Sequence, residues 1–112
     1  MLIDRHPAGG YFDLAMEGDV MVLRCHWPFD LTDNEWIDIH NRYAMSSYVR
    51  AVSNAMTTGN GEAPGVAGGF LRIKPLTDGF QIEFSSPQTG WFATSLQLHV
   101  KRPIGELLGT AG

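Results

Sequence analysis

The sequence predicts an α+β domain of the two-layer ββαβββ kind, an antiparallel sheet with one long helix packed on one face. Three observations predict it. A long amphipathic segment, Thr32 to Thr58, contains neither Gly nor Pro. Two alternating apolar/polar runs precede it and three follow it. Within each group the runs are joined by short connections rich in Gly, Pro and Asp, which suit antiparallel hairpins rather than crossovers.

The first hairpin starts with Phe12, Leu14 and Met16 alternating with Asp13, Ala15 and Glu17. Gly18-Asp19 supplies the turn. Met21, Leu23, Cys25 and Trp27 then alternate with Val20, Val22, Arg24 and His26. Pro28 ends this run, because proline cannot donate to a strand ladder.

The helix is predicted over Thr32–Thr58. Thr32 and Glu35 stand at capping-box spacing, and Asp33 adds negative charge to the first turn. Gly59 is the natural stop. At about 100° per residue, Glu35, Asp38, Arg42, Ser46, Arg50 and Ser53 share a polar side, with Asp38 and Arg42 at ion-pair spacing. Ile37, Ala44, Tyr48, Ala51, Val52 and Ala55 lie opposite, widened by Trp36, Ile39 and Tyr43 on one flank and Met45, Val49 and Met56 on the other. That arc is broad for a helix lying on one sheet.

After the helix, Gly59 to Gly69 reads as a mobile loop, with Val66 as its one apolar anchor. Leu71 and Ile73 begin the next run, which Pro75 ends and Thr77-Asp78-Gly79 turns. Phe80, Ile82 and Phe84 form the following strand, and Pro87-Gln88-Thr89-Gly90 the next turn. Phe92, Thr94, Leu96, Leu98 and Val100 alternate along the last strand until Pro103. Ile104 to Leu108 is one helical turn or an apolar tail.

A chain of 112 residues is expected to form a single domain over its whole length, with one real core. Its 44% hydrophobic and 18% charged content suits a globular protein. A net charge of −4 argues against nucleic-acid binding, which needs a basic footprint. No apolar run approaches the roughly 18 residues of a membrane span. The start Met1-Leu2-Ile3-Asp4-Arg5 lacks the pattern of a secretory signal, and the single Cys25 forbids an internal disulfide, so the expected location is the cytoplasm.

Few residues point to chemistry. Cys25 and His26, with His40 or His99, are the nearest approach to a metal set, but adjacent strand residues point to opposite faces, which works against Cys25 and His26 sharing an ion. Neither C-x-x-C nor H-x-x-x-H occurs, and no metal or other cofactor is expected. The glycine-rich stretch matches no phosphate-binding motif. His26 and His99 both fall on the predicted polar face of the sheet, with Arg24, Arg72, Lys74, Gln81, Glu83, Gln97 and Lys101. The aromatic residues Trp27 and Phe29 before the helix, Trp36 and Tyr43 on its flank, and Trp91 after a turn are the candidate partner-binding residues, since large aromatics dominate binding hot spots.

The first functional reading is a small non-enzymatic domain that holds another protein. Inhibitors, immunity-type proteins and accessory factors of bacteria and phages have this size and composition. A homodimer through the same aromatic surface is an alternative use of it. The other reading is a small enzyme or ligand-binding domain working on the polar sheet face, with His26 and His99 as acid/base groups. The core expectation is directly testable. Leu23, Tyr48, Val52, Ile73, Ile82, Phe84, Leu96 and Leu98 should form one cluster, and Ile82→Ala or Leu98→Ala should lower unfolding free energy by about 2–5 kcal/mol in urea titrations.

Overall fold

The computed structural model describes residues 1–28, 36–85 and 95–109. It contains two four-stranded antiparallel sheets and two helices. The first sheet is the meander β1 (Leu2–Arg5), β2 (Tyr11–Glu17), β3 (Val20–Pro28) and β4 (Trp36–Ala44). Helix α1 (Met45–Thr58) follows directly. The second sheet is the meander β5 (Gly61–Pro64), β6 (Phe70–Leu76), β7 (Gly79–Ser85) and β8 (Ser95–Val100), followed by the one-turn helix α2 (Glu106–Gly109).

The hairpins follow from their turns. Glu17 pairs with Val20 across Gly18-Asp19, with Gly18 in the left-handed region at φ 64°. Leu76 pairs with Gly79 across Thr77-Asp78. Both sheets turn their apolar faces to one shared core. Phe12 and Phe84 meet there at a ring-centroid distance of 5.2 Å. Leu23, Tyr48, Val52, Ile73, Ile82, Phe84 and Leu98 are buried in this cluster, and the half-buried Leu96 packs against it.

The expected single sheet with a helix from Thr32 to Thr58 is corrected. The helix ends where expected, at Gly59 with φ 84°, but it begins at Met45. Residues Trp36–Ala44 are instead the long edge strand β4. Ile37, Ile39, Asn41 and Tyr43 are buried while Asp38, His40 and Arg42 are exposed, an alternation that a helix cannot produce. The capping-box residues Thr32 and Glu35 lie outside the described residues. The helix start has no side-chain cap; the Asp19 carbonyl of the β2–β3 turn accepts from the Met45 N–H at 2.9 Å. Asp38 and Arg42 therefore do not pair with each other. Asp38 meets His26, and Arg42 reaches Glu17 at 3.7 Å.

The expected loop from Gly59 to Gly69 is also corrected. Gly61–Pro64 is strand β5, and Gly61 and Ala63 are buried. The remaining turn is tied down, with Gly65 N–H on the Gly69 carbonyl at 3.1 Å and Val66 N–H on the Arg42 carbonyl of β4 at 2.8 Å. Glycine is required at 61 because α1 lies directly on β5. A Cβ there would stand 1.7 Å from the Ala51 carbonyl oxygen.

Buried polar groups lock the two sheets together. The Asn41 side-chain amide, 2% exposed, donates to the carbonyls of Ser85 at 2.9 Å and Gly68 at 3.1 Å. The Tyr43 hydroxyl donates to the Phe70 carbonyl at 3.0 Å. The Phe70 N–H in turn donates to Ser85 Oγ at 3.0 Å.

The close contact at Gly61 makes a prediction. Gly61→Ala should destabilise the protein by about 1–3 kcal/mol or more, because backbone must separate from backbone. Gly105→Ala, where nothing lies within 4 Å of the added Cβ, is the control and should be near neutral in the same denaturant titration.

Candidate functional site

A dense group of chemically capable side chains is on the outer face of the first sheet. Strand alternation puts Tyr11, Asp13, Arg24, His26, Trp36, Asp38 and His40 on this face. Register then lines them up. Tyr11 stands opposite His26, which stands opposite Asp38. Asp13 stands opposite Arg24, which stands opposite His40.

His26 is the centre of the group. Its Nδ1 lies 2.5 Å from Asp38 Oδ1. An ionised carboxylate only accepts, so Nδ1 carries the proton and Nε2 is the nitrogen offered to an incoming group. The Trp36 ring stacks on the imidazole at 4.5 Å and 13°. Tyr11 sits on its other side at 6.0 Å and 37°. The three rings make a diagonal aromatic row across the sheet. Arg24 donates to Asp13 at 3.0 Å, an exposed pair that keeps the guanidinium firmly charged. A small depression of about 210 Å³ is lined by Tyr11, Arg24, Asp38 and His40, together with Cys25 and Ile39.

Cys25 belongs to the opposite, inner face. It is 2% exposed, and burial, helped by the carboxylates of Asp38 and Asp4, pushes its thiol up to about 12. A thiol held protonated is a poor nucleophile. Among the described residues, the hydrogen-bond partner of the His26 ring is Asp38, so no nucleophile–base pair is assembled there. Among the described residues, no group of three His, Cys, Asp or Glu side chains is placed to hold a metal ion.

The second sheet carries the other histidine. His99 Nε2 meets Asp78 Oδ1 at 2.8 Å on the outer face of β8. Arg72 lies between Glu62 at 3.4 Å and Glu83 at 2.9 Å, with its guanidinium over the Phe70 ring. His26 and His99 are thus both on solvent faces, as their alternation implied, but on the outer faces of two different sheets. They cannot act together on one substrate, which corrects the shared polar face expected of a single sheet.

The candidate partner-binding residues are scattered differently from the sequence expectation. Trp36 is half-buried in the aromatic row. Trp27 is half-buried at the end of β3, edge-on to His6 at 5.2 Å. Tyr43 is 0% exposed, and burial pushes its hydroxyl up to about 12. It is a core residue, because β4 register points it inward, and it offers no surface to a partner. Phe29 and Trp91 lie outside the described residues. Sequence reasoning missed Tyr11, Asp38 and His40 as neighbours of His26. The alternation of Trp36 to Tyr43 was the signal that would have found two of them.

Compared with protein-family models, with curated proteins and with solved structures, the chain has no significant match.

Cys25 gives a pH prediction. An unfolded cysteine loses its proton near pH 8.5, whereas this one holds it to about pH 12. Its contribution to stability is complete below about pH 8.5 and is lost as pH rises toward 12, because the unfolded chain then binds fewer protons. Tyr43 adds to the same loss above about pH 10. Denaturant midpoints measured from pH 8 to 11 should fall steadily, and Cys25→Ala should flatten the part below pH 10.

Proposed function

We propose that this chain is a non-enzymatic protein-binding domain and that its contact surface is the outer face of the first sheet around Tyr11, His26 and Trp36. The observation that carries this reading is the aromatic row itself. Tyr11 is 42% exposed, and the row is edged by the polar side chains of Arg24, Asp38 and His40. Apolar rings with a polar rim are the composition of a binding hot spot, and Tyr, Trp and Arg are the residues enriched there. The neighbouring depression of about 210 Å³ is smaller than the 300–1,000 Å³ clefts that hold small substrates.

The partner is another protein, and a second copy of this chain is the competing occupant. The enzymatic reading keeps one supporting observation, the oriented His26–Asp38 pair. It now concerns that pair alone, without His99.

Binding of partners captured from the source organism, or self-association on dilution, would be measured for Tyr11→Ala, Trp36→Ala and His26→Ala. Tyr11→Ala and Trp36→Ala should each weaken association about tenfold or more while the melting curve stays cooperative. His99→Ala should leave association unchanged. Normal association in both aromatic variants would remove this face from consideration.

A further inference from the structure

The two sheets repeat one plan, a four-stranded meander followed by a helix. Strands β1 to β4 begin at Leu2, Tyr11, Val20 and Trp36. Strands β5 to β8 begin at Gly61, Phe70, Gly79 and Ser95, each 59 positions after its counterpart. The turn between the first two strands is built alike in both halves. The His6 N–H donates to the Gly10 carbonyl and the Gly9 N–H to the His6 carbonyl, both at 2.9 Å. The Gly65 N–H donates to the Gly69 carbonyl at 3.1 Å and the Gly68 N–H to the Gly65 carbonyl at 3.3 Å. Ala8-Gly9-Gly10 and Ala67-Gly68-Gly69 fill these turns, with Gly9 at φ 103° and Gly68 at φ 115°. The pairing register of the first three strands is shared, apart from an irregularity between Leu2 and Asp4. Arg5 with Tyr11 corresponds to Pro64 with Phe70, and Leu14 with Leu23 to Ile73 with Ile82. The last strand departs from the plan by two residues: Leu23 faces Asn41, but Ile82 faces Leu98 rather than Val100.

The inner faces of the two units match in character, and the outer faces differ at one ion pair. In the first unit the acid is on the earlier strand, with Asp13 opposite Arg24. In the second the order is reversed, with Arg72 opposite Glu83. In each unit the pair stands two residues along the strand from a ring on the same face, Tyr11 in one and Phe70 in the other. Arg24 bonds Asp13 at 3.0 Å from the neighbouring strand. Among the described residues no cation is stacked on Tyr11. Arg72 does cover its ring. Its guanidinium carbon lies 4.2 Å from the centre of Phe70, held by Glu83 at 2.9 Å and Glu62 at 3.4 Å. Phe70 is accordingly half-buried, whereas Tyr11 is exposed.

We infer that the chain repeats one ββββα unit in tandem, and that the direction of the cross-strand ion pair in each unit decides whether its ring is open to a partner. A guanidinium stacked on a ring occupies the face that an incoming side chain would use. An arginine two residues along the same strand can reach that face while its carboxylate partner holds it. With the arginine moved to the next strand and an aspartate in its place, nothing covers the ring. The first unit therefore presents Tyr11 and the second keeps Phe70 closed. Asp13 and Arg24 act as positioning residues for the aromatic row. The role in partner binding rests on the reading of that row as the contact surface; the covering of the rings does not.

The test uses the full chain. It has three tyrosines, and Tyr43 and Tyr48 are 0% exposed, so hydroxyl-radical oxidation read by peptide mass spectrometry reports Tyr11 among them. Asp13→Arg with Arg24→Glu gives the first unit the order of the second. Oxidation of Tyr11 should slow about two- to fivefold, the protection expected of a cation–π contact at an exposed site. The δ-methylene protons of the introduced arginine should also shift upfield in the ring current of Tyr11, as those of Arg72 do over Phe70. Arg72→Gln should raise oxidation of Phe70 by a similar factor, and it stands in if the double variant unfolds. Unchanged Tyr11 oxidation and no upfield shift in a folded double variant would overturn the inference, as would unchanged Phe70 oxidation in Arg72→Gln. Capture of an outside partner should fall when Tyr11 is covered. A covered Tyr11 with normal capture would remove the aromatic row as the contact surface and leave the covering of the rings by the ion pair standing.

Discussion

The buried amide of Asn41 is the contact on which the arrangement of the two sheets depends. Burial of apolar surface drives the sheets together, but it is non-directional and tolerates sliding. A hydrogen-bonded polar group in the core does not, because every displaced donor or acceptor is left unsatisfied at roughly 1–3 kcal/mol. Asn41 sits on the inner face of β4 and reaches across to the Ser85 and Gly68 carbonyls. Its own Oδ1 accepts from the Arg42 N–H at 2.8 Å. Tyr43, two residues on, anchors to the Phe70 carbonyl. Four elements are thereby held in one register: β4, the β5–β6 turn, the start of β6 and the end of β7.

That lock decides what each outer face is free to do. With β4 held inward by Asn41 and Tyr43, its alternate residues Trp36, Asp38 and His40 must point outward. They then meet Tyr11, Arg24 and His26 from the neighbouring strands. The aromatic row is therefore a consequence of the core, because the same alternation that buries Ile37 and Ile39 presents Trp36 and Asp38. The second sheet obeys the same logic. Burying Ile73, Ile82 and Leu98 turns Lys74, Gln81 and His99 to the opposite face, where Lys74 and His99 are exposed. Helix α1 leaves both outer faces open by packing where Gly61 admits its backbone.

Much of the fold was legible in residue patterns. The β2–β3 and β6–β7 hairpins, the inward placement of Leu23 and Cys25, and the helix stop at Gly59 all came from alternation and turn chemistry. The main error is instructive. Inward residues of a strand recur every two positions, about 200° apart on a helical wheel. Ile37, Ile39 and Tyr43 therefore scatter to both sides of such a wheel and imitate a broad apolar arc. The excessive breadth is the trace of a strand fused to a helix, and it is what puts Trp36 and Tyr43 on a helix flank among the candidate partner-binding residues. The candidate site suffered from the same error, since His40 and Asp38 were assigned to a helix and so separated from His26.

What the sequence by itself determined is much of the core, Leu23, Tyr48, Val52, Ile73, Ile82, Phe84 and Leu98, and, within the β2–β3 and β6–β7 hairpins, most of the neighbours that face the same way. Those follow from local periodicity and turns, which are encoded over a few residues. Only the tertiary structure decided that Trp36–Ala44 is a strand, that Gly61 begins one, and that His26 and His99 belong to different sheets. Each depends on contacts between distant segments: Leu23 with Asn41 across β3 and β4, Ala51 with Gly61 between helix and strand, and Asn41 with Ser85 between sheets. Periodicity states that a residue has a buried side, but it does not state which element will cover it.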